Sequence, residues 1–353
     1  MSNPPSQRAS ATIEDVAKLA GVSIKTVSRV VNSEPNVRVS TKAAVQAAIA
    51  ELNYQPNRSA RSLAGRRSYL ISLLYDTFLA QSAYIMRVQL GLLEECRKAG
   101  YELLIHPVNY ESENLKETIT RHISQSHIDG AIMTPPIADL LTVTNCFQQH
   151  NKPYVCLTPG RELRSGLSVE TDNRFAAQKV TQHLLALGHT RFGFVRGHPD
   201  HLAMVQREQG FEDALREAAP ALAQSAMRVQ GYNTFQSGME AAATLLALPE
   251  PPTAIIASND EMAAGVIRYA NERGLRIPEQ LSVTGFDDSP IAEQIWPPLT
   301  TVRQPVQSMS VLAAKLLIAE LSGKREGKGT TVEASELVIR GSTTKAPQQV
   351  SQK

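Results

Sequence analysis

The chain predicts a small all-α helix-turn-helix headpiece followed by an α/β body of two doubly wound parallel-sheet subdomains. Three observations carry that expectation. Apolar residues recur at helical spacing behind capping signals in Thr12–Asn32, and from Tyr69 onward short apolar runs alternate with amphipathic stretches. The charge balance also changes sign between the two regions. Residues 1–70 hold ten Lys/Arg against four Asp/Glu, a balance of +6, which leaves 26 against 30, or −4, for the rest of a 353-residue chain of net charge +2. A basic head on a slightly acidic body is what a polyanion-binding module fused to a soluble partner shows, although a short acid-poor segment also arises by chance.

Thr12 caps a first helix, with Asp15 three residues on in a capping-box arrangement and Val16, Leu19 and Ala20 on one face. Gly21 ends it. Ser23 caps a second helix in which Val27, Val30 and Val31 pack inward and Ile24, Lys25, Ser28 and Arg29 face out. Arginine reads guanine bidentately, lysine and hydroxyls reach bases or phosphates, and the start of a recognition helix lies nearest the base edges. On these residues alone, an ordinary helical hairpin with a solvated basic face is equally open, because the spacing tolerates many sequences.

SEPNVRVS then reads as a polar loop that brings Arg38 within reach of phosphate. Ser40 is expected to cap a third helix with Val45, Ala48, Ile49 and Leu52 as its stripe. The segment Arg58–Ala64, between Asn57 and Gly65, has helical residues but is shorter than the ~12 residues an isolated helix needs. Two readings stand: a linker with an incidental leucine, or a segment that orders only when two copies pack on DNA, with Leu63 as a minor-groove wedge.

In the body, strands are expected at Tyr69–Tyr75, Tyr101–Pro107, Gly130–Thr134, Pro153–Leu157, Arg191–Arg196, Met227–Gln230, Thr253–Ala257, Leu281–Phe286 and Glu336–Arg340. Helices are expected over Tyr84–Ala99, Asn114–Ser126, Ile137–His150, Asn173–Leu187, Val205–Ala218, Thr234–Leu248, Asp260–Arg273 and Val306–Leu321. Strands apolar throughout argue a parallel sheet covered on both faces. So much βα alternation exceeds one comfortable sheet, so two subdomains are expected, divided near Arg164–Ser168. Ligands of such sheets bind beyond the carboxyl ends of the strands, where Asp76, Thr158, Arg196–His201, Asn259, Asp260, Asp287 and Asp288 fall. Carboxylates, amides and an arginine lining a cleft suit a polyhydroxylated ligand. Strand-end Asp and Asn also cap helices, which is the preferred reading for Asp260 and Ser289.

Cys96, Cys146 and Cys156 are an odd number without CxxC or a His cluster, so neither a disulfide framework nor a metal site is expected. MSNPPSQRAS lacks an apolar core and no run of ~18 apolar residues occurs, which argues against secretion and membrane spanning and for a cytoplasmic protein. No nucleophile elbow, P-loop or GxGxxG is present, so no catalytic residues and no cofactor are expected.

Residues 12–66, with DVAKLAGVSIKTVSRVVN and VSTKAAVQAAIAELNYQPNRSARSLAG, resemble the DNA-binding headpiece and hinge of the lac repressor family of bacterial transcriptional regulators. LALGH at Leu185–His189, Arg207 with Gly210 and Phe211, SNDEMAAG at Ser258–Gly265, SVTGFDD at Ser282–Asp288 and PPLTTVRQP at Pro297–Pro305 extend the resemblance to about residue 342. It implies a periplasmic-binding-protein-like body and a homodimer that reads a pseudo-palindromic double-stranded DNA operator. Ile24, Lys25 and Arg29 would then read bases. Ser23, Thr26, Ser28, Tyr54 and Asn57 would fix the backbone, and Leu63 would be the wedge with Ala60 beside it. The effector positions it implies are Asp76, Thr158, Arg207, Asn259, Asp287 and Gln304. Asn233 stands where many relatives place a sugar-stacking aromatic, so Trp296, Tyr232 or Phe235 is expected to take over that contact.

The resulting domain expectation is a flexible 1–11, a helix-turn-helix domain over 12–56 and a hinge over 57–67. A ligand-binding and dimerisation domain follows over 68–342, then a polar tail. Within that domain, 68–164 and 299–331 would form one subdomain, and 165–298 and 332–342 the other. After Arg340 only GSTTKAPQQVSQK follows, without leucine heptads, so a dimer is expected. The function expected is a repressor of carbohydrate-utilisation genes switched by a small sugar-like effector. Control by a corepressor or a purine-type effector, and a soluble sugar-binding protein, stand as alternatives.

Overall fold

Thr12 opens the headpiece as a true capping box: its hydroxyl accepts from the Asp15 amide at 3.3 Å while the Asp15 carboxylate accepts from the Thr12 amide at 2.8 Å. The resulting α1, Ile13–Leu19, ends where Gly21 takes φ +63°, a left-handed turn that glycine adopts without strain. α2, Ile24–Val31, starts with the Thr26 amide donating to Ser23 Oγ at 3.2 Å. α3 spans Val39–Glu51. Its N-cap is Arg38, with no side-chain cap bond, so Ser40 lies inside the helix rather than at its cap. Val16, Val27 and Val45, each fully buried, meet Ala17, Val30, Ala48 and Tyr54 in the thin core of this unit.

The computed structural model describes residues 11–31, 37–54, 67–77, 82–160, 166–324 and 329–348. It divides into two compact units, Met1–Ser68 and Tyr69–Lys353. The hinge helix expected over Arg58–Ala64, with Asn57, Ala60 and Leu63, lies outside the described residues.

In the body, β1 (Leu70–Asp76), β2 (Glu102–Val108), β3 (Gly130–Met133), β4 (Tyr154–Leu157), β5 (Leu167–Thr171) and β11 (Gly329–Glu333) form one sheet in the order β11-β5-β4-β3-β1-β2. All its neighbours pair in parallel. A second parallel sheet has the order β7-β6-β8-β9, from Met227–Gln230, Phe192–Arg196, Ala254–Ala257 and Ser282–Thr284. β10 (Thr301–Arg303) and β12 (Glu336–Val338) pair antiparallel. Side-chain alternation explains why the strands are apolar throughout. Ile71, Leu73 and Tyr75 of β1 pack into one core and Leu74 into another, so both faces of the sheet are buried.

The expected boundaries between subdomains move in three places. β5, unpredicted, adds Leu167 and Val169 to the first sheet, so the chain crosses after Thr171 rather than near Arg164–Ser168. Val302 packs with Phe192 and Phe194 in a core of the second sheet, so Thr301–Arg303 belongs there, and the return crossing precedes the helix Val306–Leu321. That helix packs on the first sheet. β11 pairs with β5 through Glu333, so the last crossing falls beyond residue 331. All three misplacements involve strands of three to five residues, too short to show a period in sequence.

Candidate functional site

A cavity of about 270 Å³ lies between the two sheets of the body, at the carboxyl ends of their strands. The first half supplies Ser82, Tyr84, Pro135 and Thr158. Asn173, His201, Arg207, Asn233, Asn259, Glu261, Asp287 and Ser289 come from the second, with Gln304 after β10. Three of these residues hold left-handed backbone without being glycine: Thr158 at φ +43°, Asn233 at +60° and Asp287 at +117°. Such conformations are unfavourable, above all for a β-branched threonine, and concentrate at functional sites.

Arg207 organises the second wall. It projects from the helix Leu202–Ala218 and is 4 % exposed. Its Nε donates to Asn173 Oδ1 at 3.0 Å, its Nη1 donates to the Ser258 carbonyl and lies 3.4 Å from Asp287 Oδ1, and its guanidinium stacks 3.6 Å from the centre of the Phe286 ring. Gly210, one turn on, makes this placement possible: a Cβ there would overlap the Arg174 carbonyl of the helix Asn173–Ala186. Asp287 is held by its amide, which donates to the Val302 carbonyl at 2.8 Å, and by Gln304, whose Nε2 donates to Oδ1. Arg87 reaches across from the first half to the Asp287 and Asp288 carbonyls.

Burial shapes the titration of this cluster. It pushes Asp287 up despite the neighbouring Arg207, and pushes Asp260 well above the usual carboxylate range, helped by Asp287. Glu261 is raised to about 7 by burial and then by Asp287. His201 is lowered to about 4 by burial and then His198, so it is neutral at pH 7. Burial raises the Tyr84 hydroxyl, which hydrogen bonds with Thr158 at 3.2 Å, to about 12. Among the described residues no group of three or more His, Cys, Asp or Glu is placed to hold a metal ion.

Of the residues expected at an effector site, Thr158, Arg207, Asn233, Asn259, Asp287 and Gln304 line this one cavity. Two do not. Asp76 is still part of β1, 3 % exposed, and accepts from the Thr77 hydroxyl at 3.4 Å; the described lining on this side of the cavity starts at Ser82. Trp296 is 82 % exposed between the short helix Ile291–Gln294 and β10, away from the lining, and Tyr232 and Phe235 do not line the cavity either. The aromatic ring that does is Tyr84. It stands in the first turn of the helix Ala83–Lys98 that follows β1. Asn233 is asparagine for a local reason: it tolerates its left-handed φ while its Oδ1 accepts from the His198 amide at 3.1 Å and its carbonyl from Asn259 Nδ2 at 3.0 Å. Asn259, not Asp260, caps the helix Asp260–Glu272, accepting from the Met262 amide. Asp260 instead accepts from the Ser289 amide and the Thr301 hydroxyl.

In the headpiece, Ser23 just before α2 and Ile24, Lys25 and Arg29 on it are exposed, while Thr26 and Ser28 are half-buried. Ser23 Oγ and Thr26 Oγ1 lie 2.9 Å apart as a hydrogen-bonded pair. Tyr54 packs its ring into the headpiece core at 9 % exposure.

A helix-turn-helix unit with a basic outer face, carried on a two-sheet body with a polar interior cavity, defines a ligand-controlled DNA-binding transcriptional regulator. Comparison with known proteins gives the family. Residues 12–57 match the lacI family of bacterial regulatory proteins and residues 181–343 match the periplasmic binding protein-like domain. The chain is 32 % identical over 336 residues to the transcriptional regulator DegA of Bacillus subtilis (strain 168), covering 94 % of this chain and 98 % of the relative. It is similar to the lac repressor dimer bound to operator and the anti-inducer ONPF, with TM-score 0.77, 29 % identity and coverage of 95 % and 100 %. The CelR–cellobiose complex matches with TM-score 0.71, 30 % identity and coverage of 94 % and 99 %. The chain belongs to the lacI family of bacterial regulatory proteins.

Proposed function

We propose that the protein represses carbohydrate-utilisation genes in the cytoplasm, as a homodimer on a pseudo-palindromic operator, and that a small sugar-like effector in the cavity sets its operator affinity. The cavity carries the reading: amides, hydroxyls, carboxylates and one guanidinium converge on a space the size of a small polyol, and each can pair with a hydroxyl. The cellobiose held by CelR and the operator-bound lac repressor dimer support it. Thr158, Arg207, Asn233, Asn259, Asp287 and Gln304 are the effector contacts. Ser23, Ile24, Lys25, Thr26, Ser28 and Arg29, with Asn57, Ala60 and Leu63, are the DNA contacts.

The mechanism follows from differential binding. An effector that fits one arrangement of the two halves of the body better than another shifts the population toward it, and the connecting segment transmits the shift to the headpiece pair. Operator and effector then alter each other's affinity by the same factor. A fluorescence-anisotropy titration of an operator duplex tests both parts. Operator affinity is expected to fall steeply between 50 and 200 mM salt and to change at least five-fold at a saturating sugar. A salt-independent affinity, or one that no cavity-binding sugar alters, contradicts the reading.

A further inference from the structure

One corner of the cavity carries more acceptors than the protein fills. Glu261 lines the cavity from the first turn of its helix; its carboxylate accepts from its own amide and has no side-chain partner among the described residues. Both bonds to the Asp287 carboxylate fall on Oδ1, which leaves Oδ2 without a partner among the described residues while 16 % of the side chain stays exposed. Ser289, 4 % exposed, lines the same cavity, and its buried Oγ has no hydrogen-bond partner among the described residues. A buried hydroxyl left in that state is costly unless something else occupies the space.

The charge balance points the same way. Among the described lining residues, two carboxylates, Glu261 and Asp287, meet one guanidinium, Arg207, while His201 and Tyr84 are neutral. The donors of Arg207 already used on Asn173, Ser258 and Asp287, and those of Arg87 on the carbonyls of Asp287 and Asp288, are spent inside the protein. Burial, and then the neighbouring Asp287, raise Glu261 to about 7, and a proton relieves the cost of holding its charge. A positively charged group on a ligand supplies the same relief without the proton. An ammonium group has three N–H donors and no acceptor, which matches three open acceptors; a hydroxyl has only one donor.

We propose that Glu261, Asp287 Oδ2 and Ser289 Oγ form the seat of a primary ammonium group, so that the effector is an amine-bearing polyol, an amino sugar by class. This rests on the reading of the cavity as the effector site.

Isothermal titration calorimetry of the full chain at pH 7.0 tests it with glucosamine, galactosamine and mannosamine, each against its parent hexose and its N-acetyl derivative. At least one amine is expected to bind ten-fold more tightly than both neutral counterparts. Its binding should release a fraction of a proton, because Glu261 is only partly protonated at that pH, read as a dependence of the enthalpy on the buffer's ionisation heat. Glu261→Gln should weaken that amine at least ten-fold and abolish the proton release. Ser289→Ala should weaken it several-fold, with melting curves showing both variants folded. A neutral sugar that binds as tightly as its amine, no binding by any amine, or an unchanged affinity in Glu261→Gln overturns the assignment. Operator anisotropy on the same samples separates the two readings. A neutral sugar that binds and shifts operator affinity removes the ammonium seat but keeps the effector role; an amine that binds without shifting it does the reverse.

Discussion

The two walls of the cavity differ in kind. The first sheet contributes Ser82, Tyr84, Pro135 and Thr158, which carry no formal charge at neutral pH, whereas the second contributes Arg207, Glu261 and Asp287 among neutral amides and hydroxyls. The charged wall is held together within the protein, through the bonds of Arg207 to Asn173, Ser258 and Asp287. The neutral wall has its own internal bond, Tyr84 to Thr158. The division has a physical consequence. A ligand's polar groups meet fixed charge on the second wall and neutral groups on the first, so orientation belongs to the second wall.

Breaking the charged wall should have the largest effect. Arg207→Leu leaves the partly buried Asp287 without its guanidinium; removing one partner of a buried pair costs about 3–5 kcal/mol, and the 16 % exposure of the Asp287 side chain puts the expected loss at the lower end. Urea unfolding of the variant should show that loss, together with loss of effector binding. A cost well under 1 kcal/mol would mean that the wall is not held together through Arg207.

Gly210→Ala is expected to come next. Its methyl group must displace the Arg174 carbonyl, overpacking that costs about 1–3 kcal/mol, and it should also shift Arg207 one turn away. Full stability together with unchanged effector affinity would show that the two helices can separate freely at that point.

The charged wall also predicts an acid profile with two opposing parts. His201 titrates at about 4 when folded against an ordinary 6.5, so the stability it contributes is complete above pH 6.5 and is lost as pH falls toward 4. Glu261 titrates at about 7 against 4.5, so the folded state gains protons, and stability, as pH falls from 7 to 4.5. Melting temperatures at pH 7 and 4.5 should therefore fall more in Glu261→Gln than in the wild-type protein, and less in His201→Asn. Parallel profiles for all three would contradict this assignment of charge.

The smallest effect belongs to the neutral wall. Tyr84→Phe removes one hydroxyl bond to Thr158, worth about 1 kcal/mol, and leaves the charged wall intact. The variant should melt slightly earlier and bind the effector with modestly reduced affinity. A loss as large as that of Arg207→Leu would erase the distinction between the walls.

Much of this was legible from residues. The capping box at Thr12, the inward Val27 and Val30, and the outward Ile24, Lys25 and Arg29 follow from helical period and cap chemistry, and the structure places them so. Strand-end positions picked out Thr158, Asn259 and Asp287, because a parallel sheet always opens its carboxyl edge to ligands. The misses have common causes. Asp76 and Trp296 were polar or aromatic in the right segments, yet whether a side chain points into a cleft is set by one residue of strand length or by a neighbouring turn. Tyr84 and Glu261 sit in the first turns of helices and Ser289 in a loop, positions that neither helical period nor the strand-end rule aims at a cleft.

Local sequence determined the headpiece, the parallel sheets and the residue types of the cavity, since caps, periods and strand-end chemistry depend on near neighbours. Only the tertiary structure decided which strands join which sheet and that residues as distant as Tyr84, Thr158, Arg207, Asp287 and Gln304 share one cavity. The reason is that strands such as β5, β10 and β11 are too short to declare a partner. Their place is settled by Leu167, Val302 and the β5–β11 pairing, packed against residues far away in the chain.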